Sequence, residues 1–171
     1  ANTVSNAVHM LQFAIMGAAY QKCIGNLDCP SVGLLNMGGE AIKGSPEHKK
    51  AYSMLQSRNS TNAQAPIFQF SGNVEGRDLF KGDVDVLVTD GFSGNVLLKG
   101  LEGTIDFILE DMQSNFKGAA ATAVVQRLKS KFHYAEFPGA ILCGVDRVVV
   151  KCHGDASKIS LFNGIAGAVD L

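Results

Sequence analysis

Three short stretches concentrate the side chains able to bind or transform a ligand: "NMGGEAIKG" over residues 36–44, "SGNVEGRD" over 71–78 and "TDGFSGN" over 89–95. Each follows an apolar run, and each mixes Asn with Gly. Glycine lets backbone N–H groups come close to a ligand, and a helix that starts just afterwards directs its positive end to the same place. Lys43 and Arg77 add two cations. Point charge, planar guanidinium and a row of amides together suit an anion, and phosphate fits them best. Strand-to-helix turns favour the same residue types simply to cap helices and to adopt unusual backbone angles. Three such turns in one chain favour the pocket reading over that plain one.

The carboxylates Glu40, Glu75, Asp78 and Asp90 sit in the same turns. Carboxylates of this kind can hold Mg²⁺ or act as acids and bases. Beside a phosphate site their ordinary use is to pair with Lys and Arg or to cap amides, so neither a metal nor a cofactor is assigned. His153 in "KCHG" follows an apolar run and is a further pocket candidate, with a structural hydrogen-bonding role as its alternative. Neither G-x-x-x-x-G-K-[ST] nor G-x-G-x-x-G occurs, so no familiar nucleotide loop is present.

Something must hold these turns together. Val8, Leu11, Ile15 and Ala18 follow helical spacing behind Ser5 or Asn6 as cap. "SVGLLNMG" reads as a buried strand, and "SPEHKKAYSMLQSR" as a helix with Ser45 as cap and Pro46 at its first position. "NSTNAQAP" is expected as a polar loop. "IFQFSGN" and "VDVLVTD" are further strands, the latter apolar on both faces as inside a parallel sheet. Two helices follow, from "NVLLKGLEGTIDFILEDM" and "AAATAVVQRLKSKF", with a break near Lys117-Gly118. Two short strands in "GAILCGVDRVVVKCHG" and a helix in "SKISLFNGIAGAVDL" complete the chain. The alternation predicts an α/β fold with a mostly parallel sheet flanked by helices, whose ligand crevice lies outside the carboxyl ends of its strands. The three turns are therefore expected to share one pocket.

Composition limits the function classes. The 171 residues are 46% hydrophobic and 18% charged, in keeping with a core-forming globular chain. Fifteen basic and sixteen acidic residues give a net charge of −1, and no Lys/Arg run exceeds two, which argues against a nucleic-acid partner. Cys23, Cys29, Cys143 and Cys152 contain no C-x-x-C pair, and the expectation is free thiols in a reducing cytoplasm, with a Cys23–Cys29 pairing left open. Cys143 and Cys152 are placed in apolar strands, where a thiolate is disfavoured, so no cysteine nucleophile is expected. "VHMLQFAIMGAAYQKCI" is broken by His9, Gln12, Gln21 and Lys22, and reads as a core helix instead of a membrane span.

Taken together and in order, "LQFAIMG" (11–17), "VGLLNMGGEAIKG" (32–44), "FSGNVEGRD" (70–78), "VLVTDGFSGNVLLKGLEG" (86–103), "FPGAILCGV" (137–145) and "VVKCHG" (149–154) resemble the PlsX phosphate acyltransferases of bacterial phospholipid synthesis. The resemblance implies that a fatty acyl group passes from acyl carrier protein to inorganic phosphate, giving an acyl phosphate. It also implies a fold related to isocitrate and isopropylmalate dehydrogenases, a homodimer, and a cytoplasmic protein peripherally associated with the inner membrane face. Matched residue by residue, the family's catalytic pair falls on Lys43 and Asn95. Asn73, Glu75, Arg77, Asp90, Gly91, Ser93 and Gly94 fall within the matched motifs as substrate-binding candidates, joined by His153. In this scheme Lys43 and the amides of Gly91 to Gly94 hold phosphate, while Asn95 donates to the oxyanion. Residues 1–171 are expected to be either a single α/β domain or the C-terminal half of a longer chain. Alternatives are an incomplete piece that dimerises or docks a carrier protein, a phosphotransacetylase using acetyl-CoA, and a dehydrogenase of the related fold.

A second surface is expected over 105–132. There Phe116, Val124, Val125, Leu128 and Phe132 can share one side, with Lys117, Arg127, Lys129 and Lys131 around them. Such a stripe serves a membrane face, a dimer or an ordinary core.

Overall fold

A polar side chain caps the start of each of the first two helices. In the computed structural model, which describes residues 2–59, 66–132, 139–152, 154 and 156–169, α1 spans Ala7–Cys23. Its cap Asn6 accepts from the His9 amide through Oδ1 at 2.9 Å, and the His9 ring faces back to the Asn6 amide at 3.4 Å. α2 spans Pro46–Asn59, and Ser45 Oγ accepts from the His48 amide at 3.3 Å. Both starts follow the capping rule that the sequence suggested.

Between and after them run β1 (Ser31–Asn36), β2 (Gln69–Glu75) and β3 (Val86–Val88). They form a parallel sheet in the order β2-β1-β3. β1 pairs with β2 from Ser31↔Gln69 to Asn36↔Glu75, with one irregularity between Val32 and Gly33. It pairs with β3 from Val32↔Val86 to Leu34↔Val88. Alternation along β1 sends Val32 and Leu34 into a core shared with Met10, Ala14 and Ala18 of α1 and Ala51 and Leu55 of α2. α1 and α2 pack side by side on the sheet, and a Cβ at Gly17 would come within 2.6 Å of Val86. That glycine is what lets α1 approach β3 so closely.

The chain divides into two compact units, Ala1–Leu98 and Lys99–Leu171, with the boundary inside α3 (Gly91–Asn115). The second unit continues with α4 (Ala119–Phe132), β4 (Ala140–Ile141), β5 (Val150–Lys151) and α5 (Lys158–Val169). β4 and β5 pair antiparallel as a separate sheet, and α5 packs on β5. Leu109 and Val125 are buried there, whereas Phe107, Phe116, Phe162 and Ile165 are exposed.

Several expectations need correction. The α/β class with a parallel sheet flanked by helices holds for the first three strands, but the last two form an antiparallel pair of their own. β3 is short and lies at the edge of the described sheet, where it was expected inside; β1 is the central strand. A 3-10 helix over Gly76–Lys81 was not anticipated. α3 begins at Gly91 instead of Asn95, so "GFSGN" is its first turn. Cys143 and Cys152 follow β4 and β5 instead of lying within them. Cys143 is exposed and Cys152 half-buried. The expected apolar stripe divides as well: Val125 is 2% exposed but Val124 is 50% and Phe116 60% exposed. Apart from its ends, the loop expected over 59–66 lies outside the described residues.

Candidate functional site

Parallel order brings the carboxyl ends of β1, β2 and β3 to one edge, where the first and third turns leave the sheet; of the second stretch, Ser71 to Glu75 is still β2 and only Gly76 to Asp78 lies beyond it. A cleft of about 370 Å³ opens between the first and third turns, lined by Asn36, Met37, Gly44, Ser45, His48, Ser93 and Leu97 among others. The second turn meets it through Gly76, where an added Cβ would stand 3.5 Å from Leu97.

The first turn is built around Lys43. Its amide donates to the Glu40 carbonyl at 3.0 Å, and its carbonyl accepts from Asn36 Nδ2 at 3.1 Å. Asn73 Nδ2, from β2, donates at 2.8 Å to the same Glu40 carbonyl. The lysine side chain passes over Gly38, where a Cβ would lie 3.2 Å from its Cγ, and Nζ stands 3.9 Å from Glu40 Oε1. Gly44 has φ 87, and a Cβ there would strike Asn36 Oδ1 at 2.8 Å. Both its handedness and its lack of side chain are therefore required.

The third turn is organised by Asp90. Its Oδ1 accepts from the Ser93 amide at 2.8 Å, its Oδ2 from Ser93 Oγ at 2.7 Å, and its carbonyl from the Gly94 amide at 3.0 Å. The Gly91 amide donates to the Asn2 carbonyl at 2.9 Å. Burial opposes ionisation of Asp90. The Ser93 amide and hydroxyl, the Phe92 amide and the nearby His48 outweigh that effect and hold the carboxyl below its ordinary range. His48 Nε2 lies 3.9 Å from Asp90 Oδ2, and its Nδ1 meets Ser45 Oγ at 2.8 Å. With side-chain exposures of 18% for His48 and 13% for Asp90, this contact ties the start of α2 to the start of α3.

These bonds revise the idea of an amide-lined cradle. The amides of Gly91, Phe92, Ser93 and Gly94 all have partners, and the anion at the positive end of α3 is Asp90 itself. The second turn is likewise internally paired. Arg77 grips Glu75 with Nε and Nη2, each at 3.2 Å, and Lys81 pairs with Asp78 at 2.6 Å. That bond is the main reason why the Asp78 carboxyl is held below its ordinary range. Each carboxylate weighed for metal binding thus has a cation or amide partner. No group of three or more His, Cys, Asp or Glu among the described residues could hold a metal.

Of the sequence candidates, Asp90, Gly91, Ser93 and Gly94 gather at the start of α3, with Ser93 lining the cleft. Asn73 and Lys43 meet through the Glu40 carbonyl, and Glu75 and Arg77 pair beside them. Asn95 is exposed on α3, and neither it nor Lys43 lines the cleft. His153 lies outside the described residues. Asn36 and His48 were not among the site candidates, and Ser45 was expected only as the cap of α2. Asn36 is the last residue of β1, where the strand meets the glycine turn, and an Asn at that junction was the available signal. His48 carried none, since one histidine in a helix start is ordinary.

The whole of residues 1–171 matches the model of the family described as fatty acid synthesis protein, and the chain belongs to that family. A phosphate acyltransferase of Chlamydia caviae is 41% identical over 173 residues, covering 100% of this chain and 49% of the relative. Phosphate acyltransferases of Staphylococcus epidermidis and Oceanobacillus iheyensis are 40% and 43% identical over 176 residues, covering 98% of this chain and 52% and 51% of theirs. The chain spans about half the length of the curated relatives it matches.

Proposed function

We propose that this chain forms part of a phosphate acyltransferase, in which inorganic phosphate takes a fatty acyl group from acyl carrier protein. The observation that carries this reading is the match along the entire chain to relatives bearing that name. The geometry that supports it is a half-exposed lysine, held by its own backbone, at the ligand edge of a parallel sheet. A phosphate oxygen attacks the thioester carbonyl carbon, forming the C–O bond of the acyl phosphate. The C–S bond then breaks, and the departing thiolate takes a proton. Phosphate is anionic at neutral pH and needs orientation and charge balance more than a protein nucleophile. Lys43 supplies the positive charge, and Asn95 donates to the oxygen that becomes negative.

Glu75, Arg77 and Asp78 shape the second turn beside this site, and Asp90, Gly91, Ser93 and Gly94 set the start of α3. The three-stranded sheet belongs, on this reading, to a fold of the isocitrate and isopropylmalate dehydrogenase kind. Replacing Lys43 by Ala should raise the phosphate concentration needed for half-maximal transfer. An unchanged phosphate dependence, measured with acyl carrier protein thioester in the full-length protein, would remove Lys43 from the scheme.

The resemblance also supports a homodimer and a peripheral place at the inner membrane face of the cytoplasm. No helix among the described residues is long and apolar enough to cross a membrane. Exposed Phe116, just after α3, and Val124, within α4, are the side chains proposed to touch lipid. Phe116→Ser together with Val124→Ser should abolish flotation with anionic vesicles while light scattering still reports the dimer. Undiminished flotation would count against lipid contact here, and loss of the dimer would assign the surface to the partner subunit.

A further inference from the structure

The first turn contains an arrangement that substrate binding by Asn73 does not explain. Two asparagines on neighbouring strands, Asn36 at the end of β1 and Asn73 within β2, each extend one carboxamide N–H to the backbone around Lys43. Asn36 reaches the Lys43 carbonyl at 3.1 Å, and Asn73 reaches, at 2.8 Å, the Glu40 carbonyl that also accepts the Lys43 amide. Both backbone polar groups of Lys43 are thereby fixed to the sheet, one directly and one through Glu40. A third anchor comes from Asn36 Oδ1, which accepts the Met37 amide at 2.8 Å as the turn begins.

Two independent features indicate that this arrangement is specified. Gly44, at φ 87, leaves no room for a Cβ beside the Asn36 carboxamide, so the turn is shaped to admit it. Asn73 Oδ1 is buried without a hydrogen-bond partner, so its carboxamide is oriented for the donor alone. A buried acceptor left unmade is unfavourable, and such groups in native structures call for a role beyond stability.

We propose that Asn36 and Asn73 are positioning residues for Lys43, holding the turn so that the ammonium group meets the bound anion in one place. Asn73 thus acts on the backbone of the first turn and not on the substrate. The inference rests on the phosphate acyl-transfer reading, because that reading gives Lys43 its task. A displacement on the order of 1 Å at a reacting group can cost a hundredfold in rate.

The test is a double-mutant cycle in the full-length protein, read as the phosphate dependence of acyl transfer. Asn36→Ala and Asn73→Ala should each raise the phosphate requirement about tenfold or more, in the manner of Lys43→Ala. Neither should add a further loss once Lys43 is already Ala. Asn73→Asp keeps the shape but lacks the N–H, and should behave like Asn73→Ala; Asn73→Gln, which keeps a donor, should recover part of the loss. Additive losses in the Lys43→Ala background, or full activity of Asn73→Asp, would overturn the proposal. A folding defect would persist in both backgrounds and so appear as additivity. If Lys43→Ala itself changes nothing, the acyl-transfer role of Lys43 falls, and the clamp falls with it. If Lys43→Ala acts but the asparagine variants do not, the clamp alone is refuted.

Discussion

The turns after β1 and β3 leave the same sheet edge and hold their backbone groups in opposite ways. After β3, the start of α3 is closed on itself: Asp90 takes the first amides and the Ser93 hydroxyl, and the Asn2 carbonyl takes the Gly91 amide. After β1, the backbone of the turn is held by Asn36 at its start and by Asn73 from β2, and among the described residues the one ion pair of the Lys43 side chain is a long one to Glu40. A glycine-rich turn at a helix start therefore need not be an anion receptor. Its capacity depends on whether a local carboxylate already occupies the positive end. On the acyl-transfer reading proposed above, the first turn would carry the receptor and the third would serve as a mount.

Asn95 is where that division of labour can be broken most sharply. It lies past the capped turn, exposed on α3, and makes no side-chain hydrogen bond among the described residues. If the third turn is a mount for one donor, Asn95→Ala should lower the rate of acyl transfer by about 10²–10³, the usual loss of an oxyanion donor. Stability should hardly change, because alanine is the better helix former at an exposed position. Steady-state turnover of the full-length protein measures the first and denaturant unfolding the second. Near-normal turnover would leave α3 without a chemical part and the first turn as the sole contributor.

The comparison also marks where reading the chain alone reached its limit. Apolar runs and caps located α1, β1 and α2, which bury residues in one continuous core, and placed β2 two residues early, at 67–73 instead of Gln69–Glu75. The same reading misplaced the start of α3 by treating glycine and serine as loop residues. Asp90 supplies enough amide acceptors to begin the helix at Gly91, and a cap of that kind overrides weak local propensity. The division of the chain at Leu98 and Lys99 left no trace, because it falls within a continuous helix without a change in composition. Among the candidate residues, Asn73, Asp90 and Lys43 could be named from the sequence, but the groups they bond could not. Whether Asn73 faces a ligand or the Glu40 carbonyl depends on strand register, here Leu34↔Asn73 and Asn36↔Glu75, which short motifs do not encode. Val125 and Val124 make the same point in the second unit: neighbours in one apolar stretch, one buried and one exposed.

Asp90 offers a smaller and purely physical check on the mount. Its carboxyl is held below the ordinary value of 3.8, so the ionised form is favoured in the folded state. A group with a depressed folded-state pKa contributes fully above its unfolded value and loses that contribution as pH falls through the folded one. Asp90→Ala should therefore cost about 1 kcal/mol at neutral pH, the usual worth of a helix cap. The gap between parent and variant should narrow as pH drops below 3.8, once protonation removes the charge that the Ser93 amide and hydroxyl stabilise. Denaturant unfolding of both proteins from neutral to strongly acidic pH follows that gap. A gap that stays constant throughout would mean that the carboxylate charge does not hold the start of α3, and that the third turn owes its rigidity to packing alone.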